Sequence, residues 1–212
     1  MVTNMNAQLD VPAEPDAPVE LFMEFANTLE YTRGEPEDSI PTPDELLAWL
    51  RRHELISERA RAAEASRLRR DAIETETRMS HFRHLRTMVH DIARRVSAAQ
   101  TPTQDQLREL NTILRTGLHY HQLRLDDDGT RYTVAQVGDR LDQAAAAIAS
   151  SLAHFLADDA PDRLRVCANQ GCRYVFVDRS PTGRRRWCDM RTCGNQAKVA
   201  RHRARAKAKP GG

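Results

Sequence analysis

The chain has 212 residues, of which 40% are apolar and 29% are charged, and a chain of this size can bury a core without staples. It has no apolar run long enough to span a membrane. Residues 1–18 are acidic and rich in proline rather than resembling a secretory signal, so we expect a disordered leader on a cytoplasmic protein. The net charge of +2 conceals an asymmetry, because residues 161–212 carry 14 Lys and Arg against 3 Asp and Glu, whereas residues 1–160 carry 18 against 27. An acidic body with a basic tail predicts two functional parts.

Residues 19–160 are predicted to form a mainly helical domain. Apolar residues at helical spacing start a first helix at Val19, which is expected to end near Gly34 and to be followed by a loop over residues 35–43. The second helix should begin with Thr42 as its N-cap and Pro43 at its first position.

The next stretch lacks Pro and Gly over residues 44–101, so it is predicted to be long helix with a break at residues 75–80. Its strongest apolar stripe has spacings of three and four residues and should face the core: Phe82, Leu85, Val89, Ile92 and Val96. A further helix should follow Pro102 and stop at Gly117.

The pattern changes period after Gly117. Residues 118–125 and 131–137 are predicted to pair as a β-hairpin around a turn at residues 126–129. An alanine-rich helix over residues 141–156 should complete the domain, with Pro161 marking the boundary to a tail unit over residues 161–212.

The four cysteines all lie in this tail, as two pairs with four residues inside each pair and fifteen between the pairs: Cys167, Cys172, Cys188 and Cys193. Two turn-borne pairs at such a separation are typical of a tetrahedral Zn²⁺ site, with a β-hairpin bringing the pairs together. Two disulfides or four free thiols are the alternatives, and a cytoplasmic location disfavours disulfides. Because four thiolates fill the coordination shell, the zinc is expected to be structural.

A basic, alanine-rich helix is predicted after Cys193. Clustered cations on a small rigid unit are typical of nucleic-acid binding, and the residues predicted to contact DNA are Arg184, Arg185, Arg186, Lys198, Arg201 and Arg205. The alternative is a solvated basic tail. Arginines that merely offset the formal charge of −2 on a four-thiolate zinc centre would not account for a surplus of eleven positive charges.

The tail reads Trp-Cys-x-Met-x-x-Cys-Gly-Asn from Trp187 to Asn195, after a segment that carries Val166, Cys167, Cys172, Phe176 and Asp178. In these residues it resembles the CGNR zinc finger of bacterial proteins, with Gln196 standing where that family has arginine. The sequences Phe-Ala-Asn-Thr-Leu at residues 25–29 and Leu-Leu-Ala-Trp-Leu at residues 46–50 are similar to the ABATE domain that precedes this finger. The resemblance implies a stress-induced transcription regulator with a helical regulatory domain.

Further polar residues are candidates for ligand or metal binding. Asn27 lies between apolar positions and is expected to be buried, either as part of a ligand-binding group with Glu24 and Arg33 or in an internal hydrogen bond. The histidine pairs are expected to be surface residues: His81 with His84, and His119 with His121. No catalytic constellation stands out, so we expect that the protein is not an enzyme.

The sequence therefore predicts a mainly α protein, with one β-hairpin in its helical domain and a C-terminal zinc-binding unit made of a β-hairpin and a basic helix. Its expected function is transcription regulation through DNA binding, with a small molecule or a protein as effector of the helical domain. Because one small finger makes few base contacts, a homodimer or a partner is also expected. A protein–protein adaptor with a purely structural zinc unit, an RNA-binding factor and an enzyme are the rival functions.

Overall fold

The computed structural model describes residues 20–32, 34–118, 120–125, 130–137, 139–158 and 161–207. Within these residues the chain is mainly α-helical, and its strands form three separate antiparallel hairpins, β1–β2, β3–β4 and β5–β6. The elements, in chain order, are α1 (Leu21–Ala26), β1 (Leu29–Thr32), β2 (Glu35–Asp38), α2 (Pro43–Arg52), α3 (Glu58–Arg70), α4 (Ala72–Ser97), α5 (Gln104–Thr116), β3 (Tyr120–Leu125), β4 (Tyr132–Val137), α6 (Arg140–Asp158), β5 (Leu164–Val166), β6 (Val175–Val177) and α7 (Asn195–Lys207).

The first helix is much shorter than the sequence suggests, because α1 ends at Ala26 and the chain turns into the β1–β2 hairpin. The predictions of helix to Gly34 and of a loop from residue 35 are therefore wrong. The physical reason lies in α4, where the buried guanidinium of Arg86 donates to Thr28 Oγ1 at 2.9 Å and to Asp38 Oδ1 at 2.8 Å. These bonds join the two ends of the hairpin, and Gly34 takes the turn with φ +93°.

The start of α2 is confirmed, since the Thr42 hydroxyl accepts from the Glu45 N–H while the Glu45 carboxylate accepts from the Thr42 N–H. The predicted break at residues 75–80 is wrong, because those residues lie inside α4. The helix breaks instead at residues 53–57 and at Asp71. The Asp71 carboxylate accepts from the N–H groups of Ile73 and Glu74 at 2.9 Å, and this N-cap starts α4.

The core lies between α1, α2, α4 and α6. The predicted stripe of α4 is confirmed as buried, with its last member Val96 partly buried. The Phe25 ring of α1 lies 5.4 Å from the Trp49 ring and 6.2 Å from the Phe82 ring. Helix α5 stops at Gly117 as predicted, although its φ of −75° is ordinary. The glycine is needed for close packing, since a Cβ there would lie 2.1 Å from the Ala146 Cβ.

The one hairpin predicted for the helical domain and the alanine-rich helix are both confirmed, as β3–β4 and α6. The turn predicted at residues 126–129 lies outside the described residues. Leu123 and Leu125 share one face of β3, with Tyr132 opposite Leu125, and all three are exposed. No helix in the described part of the chain is long and apolar enough to cross a membrane.

The tail unit packs directly on the helical domain. Leu164 of β5 and Val175 of β6 are buried in the same core cluster as the helices, and the Val166 N–H donates to the Ser97 hydroxyl of α4 at 3.1 Å. The hairpin therefore has one side on the domain core, while the cysteines form a second small cluster with Phe176 and Trp187. The domain boundary near Pro161 stays a prediction.

Candidate metal centre and nucleic-acid interface

The four cysteines converge on one point. Their Sγ atoms all lie within 4.8 Å of one another, and the distances from Cys188 Sγ are 3.6 Å to Cys172 Sγ and 3.7 Å to Cys193 Sγ. Metal–sulfur bonds of about 2.3 Å at tetrahedral angles place the sulfurs about 3.8 Å apart, whereas a disulfide requires about 2.05 Å. All four cysteines are free, so the arrangement fits a tetrahedral thiolate site and not a pair of disulfides.

The first pair is presented by the turn between β5 and β6. The Cys167 N–H donates to the Tyr174 carbonyl at 2.8 Å, and the Cys172 N–H donates to the Asn169 carbonyl at 2.8 Å. The Asn169 carboxamide oxygen accepts from the Gly171 N–H at 3.1 Å, which closes the turn. Hydrogen bonds within the turn thus bring both thiols to the same side of the hairpin.

Of the second pair, Cys193 lies in one turn of π-helix, Met190–Gly194, and Cys188 lies two residues before the start of that turn. The Asp189 carboxylate accepts from the Thr192 N–H at 3.0 Å and so caps this turn. Trp187 packs against the cysteine cluster. A Cβ at Gly194 would lie 2.8 Å from Met190 Sδ and 3.4 Å from Trp187 Cδ1, so glycine allows these two side chains to approach the turn closely.

Burial disfavours the thiolate form at two of the cysteines as long as no cation lies beside them. Burial raises the pKa of the Cys172 thiol to about 11 and also raises the pKa of Cys188. At Cys193 burial also acts to raise the pKa, but hydrogen bonds from Asn169 and from the neighbouring thiols outweigh it and lower the pKa. A metal cation supplies the positive charge that four adjacent thiolates need, and it displaces their protons as it binds.

Helix α7 projects from this centre with little cover. Every residue from Asn195 to His202 is exposed except Ala197, which is partly buried. An open groove runs along the helix, lined by Arg191, Thr192, Asn195, Gln196, Val199 and Ala200. The Gln196 side-chain oxygen accepts from the Asn169 carboxamide at 2.9 Å. Arginine, which has no acceptor, could not make this bond, so Gln196 ties the start of α7 to the cysteine turn.

Two family models match the chain. The model described as "Putative stress-induced transcription regulator", ABATE, matches residues 20–159, which is about two thirds of the 212 residues. The chain belongs to the ABATE family. The CGNR zinc finger model matches residues 163–206, so residues 163–206 are called the CGNR unit below and residues 20–159 the ABATE domain. A search of curated proteins found no match.

The cations predicted to contact DNA differ in their surroundings within the CGNR unit. Arg184, Arg186, Lys198 and Arg201 are exposed. Arg185 is partly buried, with its guanidinium donating to the Cys188 carbonyl at 2.5 Å and lying 5.0 Å from the centre of the Phe176 ring. The Arg205 backbone belongs to α7, but its side chain lies outside the described part of the structure. The predicted set as a whole stays a prediction.

Asn27 is the polar residue through which the two units are most directly joined. Its carboxamide accepts from the Val175 N–H at 2.8 Å and donates to the Val175 carbonyl at 2.9 Å, so it pairs with β6 as a neighbouring strand would. Glu24 lies 3.1 Å from His53, and Arg33 lies outside the described residues. A ligand-binding role for these residues stays a prediction.

Two further contacts between the units were not predicted from the sequence. The His90 ring nitrogen Nε2 of α4 hydrogen-bonds to the Arg173 carbonyl at 2.9 Å, and the Arg173 guanidinium lies 4.6 Å from the centre of the Tyr31 ring. Arg173 follows Cys172 directly and has φ +57°. Such a contact has no local sequence signal, because its members are distant along the chain.

The histidine pairs do not join a metal cluster in the described residues, where the four cysteines form the one group of three or more possible ligands. His84 pairs with Glu109 on the surface, and His81 is partly buried beside Phe82. His119 lies outside the described residues, and so does the side chain of His121.

Proposed function

We propose that the protein is a transcription regulator whose CGNR unit holds one Zn²⁺ and binds duplex DNA through α7. The observation that carries the proposal is an exposed, cationic helix fixed at its base by a four-thiolate centre. DNA-binding modules commonly present a helix to the major groove from a small rigid scaffold.

The zinc would be held by Cys167, Cys172, Cys188 and Cys193, whose sulfur geometry fits the ion. Its chemistry there is structural, since four thiolates leave no coordination position for water or substrate. Residues of the chain itself hold the elements around the metal in place, because Asp189 caps the π-turn and Gln196 hydrogen-bonds α7 to the cysteine turn. Metal binding and folding of the unit are thus one process.

The charge distribution supports DNA contact by the CGNR unit rather than by the ABATE domain. Residues 161–212 have a net charge of +11 and residues 1–160 a net charge of −9, so phosphate is attracted to the first and repelled by the second. An isolated helix of 13 residues is marginal in water, which favours a role in which α7 is covered by a partner. The ABATE domain would act as a sensor or interaction domain with no catalytic step. A homodimer is part of the proposal.

The test is DNA binding by zinc-loaded, full-length protein as a function of salt. With about five phosphates neutralised, log K should fall against log salt with a slope of about −4 to −5. Replacing Arg201 and Arg205 together by Ala should flatten this slope by about two if both contact phosphate. The matched control is Arg69→Ala on α3, an exposed arginine of the ABATE domain, which should leave the slope unchanged.

Absence of salt-dependent binding to a pool of duplex DNA would overturn the regulator proposal and favour the adaptor. Tighter binding to single-stranded RNA than to duplex DNA would favour the RNA-binding alternative, in which exposed bases stack on aromatic side chains.

A further inference from the structure

We infer that one strip of α7, formed by Asn195, Val199 and His202 and called the reading strip below, contacts base edges, while the cations on its two sides hold the phosphates. The inference rests on the proposed DNA binding and deepens it by separating residues that select a sequence from residues that only attract DNA. It follows from helical geometry, burial and the positions of the charges.

Helical geometry groups the three residues. At about 100° per residue, Asn195, Val199 and His202 fall within about 60° of arc. The partly buried Ala197 lies on the opposite side of the helix and marks the side nearest the rest of the unit. The reading strip therefore faces away from the protein.

The cationic positions lie on both flanks of this strip. Lys198, Arg201 and Arg205 occupy one flank at about 60–120° from Asn195, and the backbone positions of Arg203 and Lys207 lie at similar angles on the other. An α-helix with side chains is about 10–12 Å in diameter, and the major groove is about 12 Å wide. A helix placed strip-first in that groove would bring one flank to each phosphate wall.

The side chains of the strip have the chemistry that base reading requires. Val199 is 49% exposed, an apolar side chain on an otherwise polar helix, and it could contact a thymine methyl group. The Asn195 carboxamide donates to the Arg191 carbonyl at 2.9 Å, which orients the amide while its oxygen can accept from a base amino group. His202 is exposed and can donate or accept.

Gln196, in contrast, is excluded from the strip. Its carboxamide oxygen is bound to Asn169, and it lies on the flank of Arg203. A glutamine next to an asparagine at the start of a helix would appear equally suited to base reading from sequence alone. The hydrogen bond assigns it to holding the helix in place.

The experiment selects binding sites from a random duplex pool with zinc-loaded, full-length protein. We compare Asn195→Ala and Val199→Ala, both on the strip, with Lys198→Ala on the flank. Alanine is the best helix former, so α7 should be retained, and circular dichroism and zinc content verify this for each variant. The wild type should select a consensus, and each strip variant should lose about 5- to 100-fold discrimination at one base position. Lys198→Ala should weaken all sequences alike and leave the consensus unchanged.

Three outcomes separate this inference from the proposal beneath it. Salt-dependent binding by the wild type without any selected consensus overturns the reading strip and leaves DNA binding intact. A consensus that survives both strip variants also overturns it and moves base reading elsewhere. No salt-dependent binding by the wild type removes the proposed function itself.

Discussion

Helices α4 and α7 show two ways in which one chain holds a helix. Helix α4 has 26 residues and buries eight side chains along a stripe that faces the core. Helix α7 has 13 residues, and none of its described side chains is buried. Helix α4 is stabilised by burial of apolar surface, whereas α7 depends on the cysteine centre and the hydrogen bonds at its base. The two should therefore respond to different perturbations.

Loss of the metal centre should have the largest effect, and of the two helices it should affect α7 and not α4. Cys188→Ser, or chelation of the metal, should unfold the CGNR unit, because binding energies of about 10–16 kcal/mol for structural zinc are also folding energies. Helicity should fall by about the share of α7, while the ABATE domain still melts cooperatively. Elemental analysis should give one zinc per wild-type chain, and purified protein without zinc under non-chelating conditions would contradict the assignment.

The converse change is Phe25→Ala in the ABATE core. It should lower the free energy of unfolding of that domain by about 3–5 kcal/mol, because it leaves a cavity between Trp49 and Phe82. Zinc content should be unchanged at temperatures where the variant is folded. Urea titration with saturating zinc measures the change, and a cost below about 1 kcal/mol would show that this ring is not central to the core.

A smaller, pH-dependent effect is expected at Asp38. Burial alone would raise the pKa of Asp38, but hydrogen bonds from Arg86 and the Ile40 N–H outweigh it and hold the pKa below its ordinary value. The stabilisation is therefore present above about pH 4, the unfolded value, and is lost as pH falls through the lower folded value. Asp38→Asn should cost about 2–3 kcal/mol at neutral pH, and its difference from wild type should shrink in acid.

The measurement is urea unfolding at several pH values, with both proteins in a Trp187→Phe background so that Trp49 alone reports on the ABATE domain. A difference that stays constant down to pH 3 would mean that the Asp38 carboxylate does not titrate with a lowered pKa.

The contact between the two units should be weaker than either core. Asn27→Ala removes both hydrogen bonds to Val175 and should cost about 1–2 kcal/mol of unfolding free energy. Asn27→Asp keeps the acceptor for the Val175 N–H but places a carboxylate oxygen against the Val175 carbonyl oxygen, so its cost should be at least that of Asn27→Ala. Equal stability of all three proteins in thermal melts would show that the CGNR unit docks through its apolar contacts alone.

The smallest expected change in stability is that of Gln196→Arg, which restores the residue of the CGNR signature. It breaks the hydrogen bond to Asn169 and should cost about 0.5–1.5 kcal/mol. It also adds a charge at the start of α7, so the salt slope of DNA binding should steepen by about one if the arginine reaches phosphate. Gln196→Lys serves as a control for charge without the guanidinium fork, and an unchanged slope in both would place this position away from the backbone.

The features predicted correctly from the sequence are those with local or repeated signals. The Thr42 capping box lies within four consecutive residues, and the apolar stripe of α4 repeats every three or four residues. The two cysteine pairs are recognisable from their spacing. The break at Asp71 also has a local signal, an N-capping aspartate with Glu74 three residues later, whereas residues 75–80, which have a weaker apolar pattern, lie inside α4.

The features that were missed depend on distant partners. The β1–β2 hairpin includes Pro36 and several acidic residues, which disfavour strands, and it is joined by Arg86, 58 residues after Thr28. In the sequence, the three arginines from Arg184 to Arg186 cannot be told apart. In the folded chain, Arg185 differs from its two neighbours because its guanidinium contacts the Phe176 ring. Tertiary contacts of this kind override local propensity, so a single sequence does not reveal them.

The pairing of Asn27 with Val175 couples the CGNR unit to the helical domain. Because the Asn27 carboxamide binds both the N–H and the C=O of Val175, β6 cannot slide or tilt unless α1 moves with it. His90 on α4 adds a second point of attachment at Arg173, next to a cysteine of the centre. Through these two attachments, the positions of α1 and α4 determine the direction of the α7 axis. If α7 binds DNA as proposed, a rotation of those helices by a few degrees would change the direction of α7 and with it the angle at which the helix approaches a DNA groove.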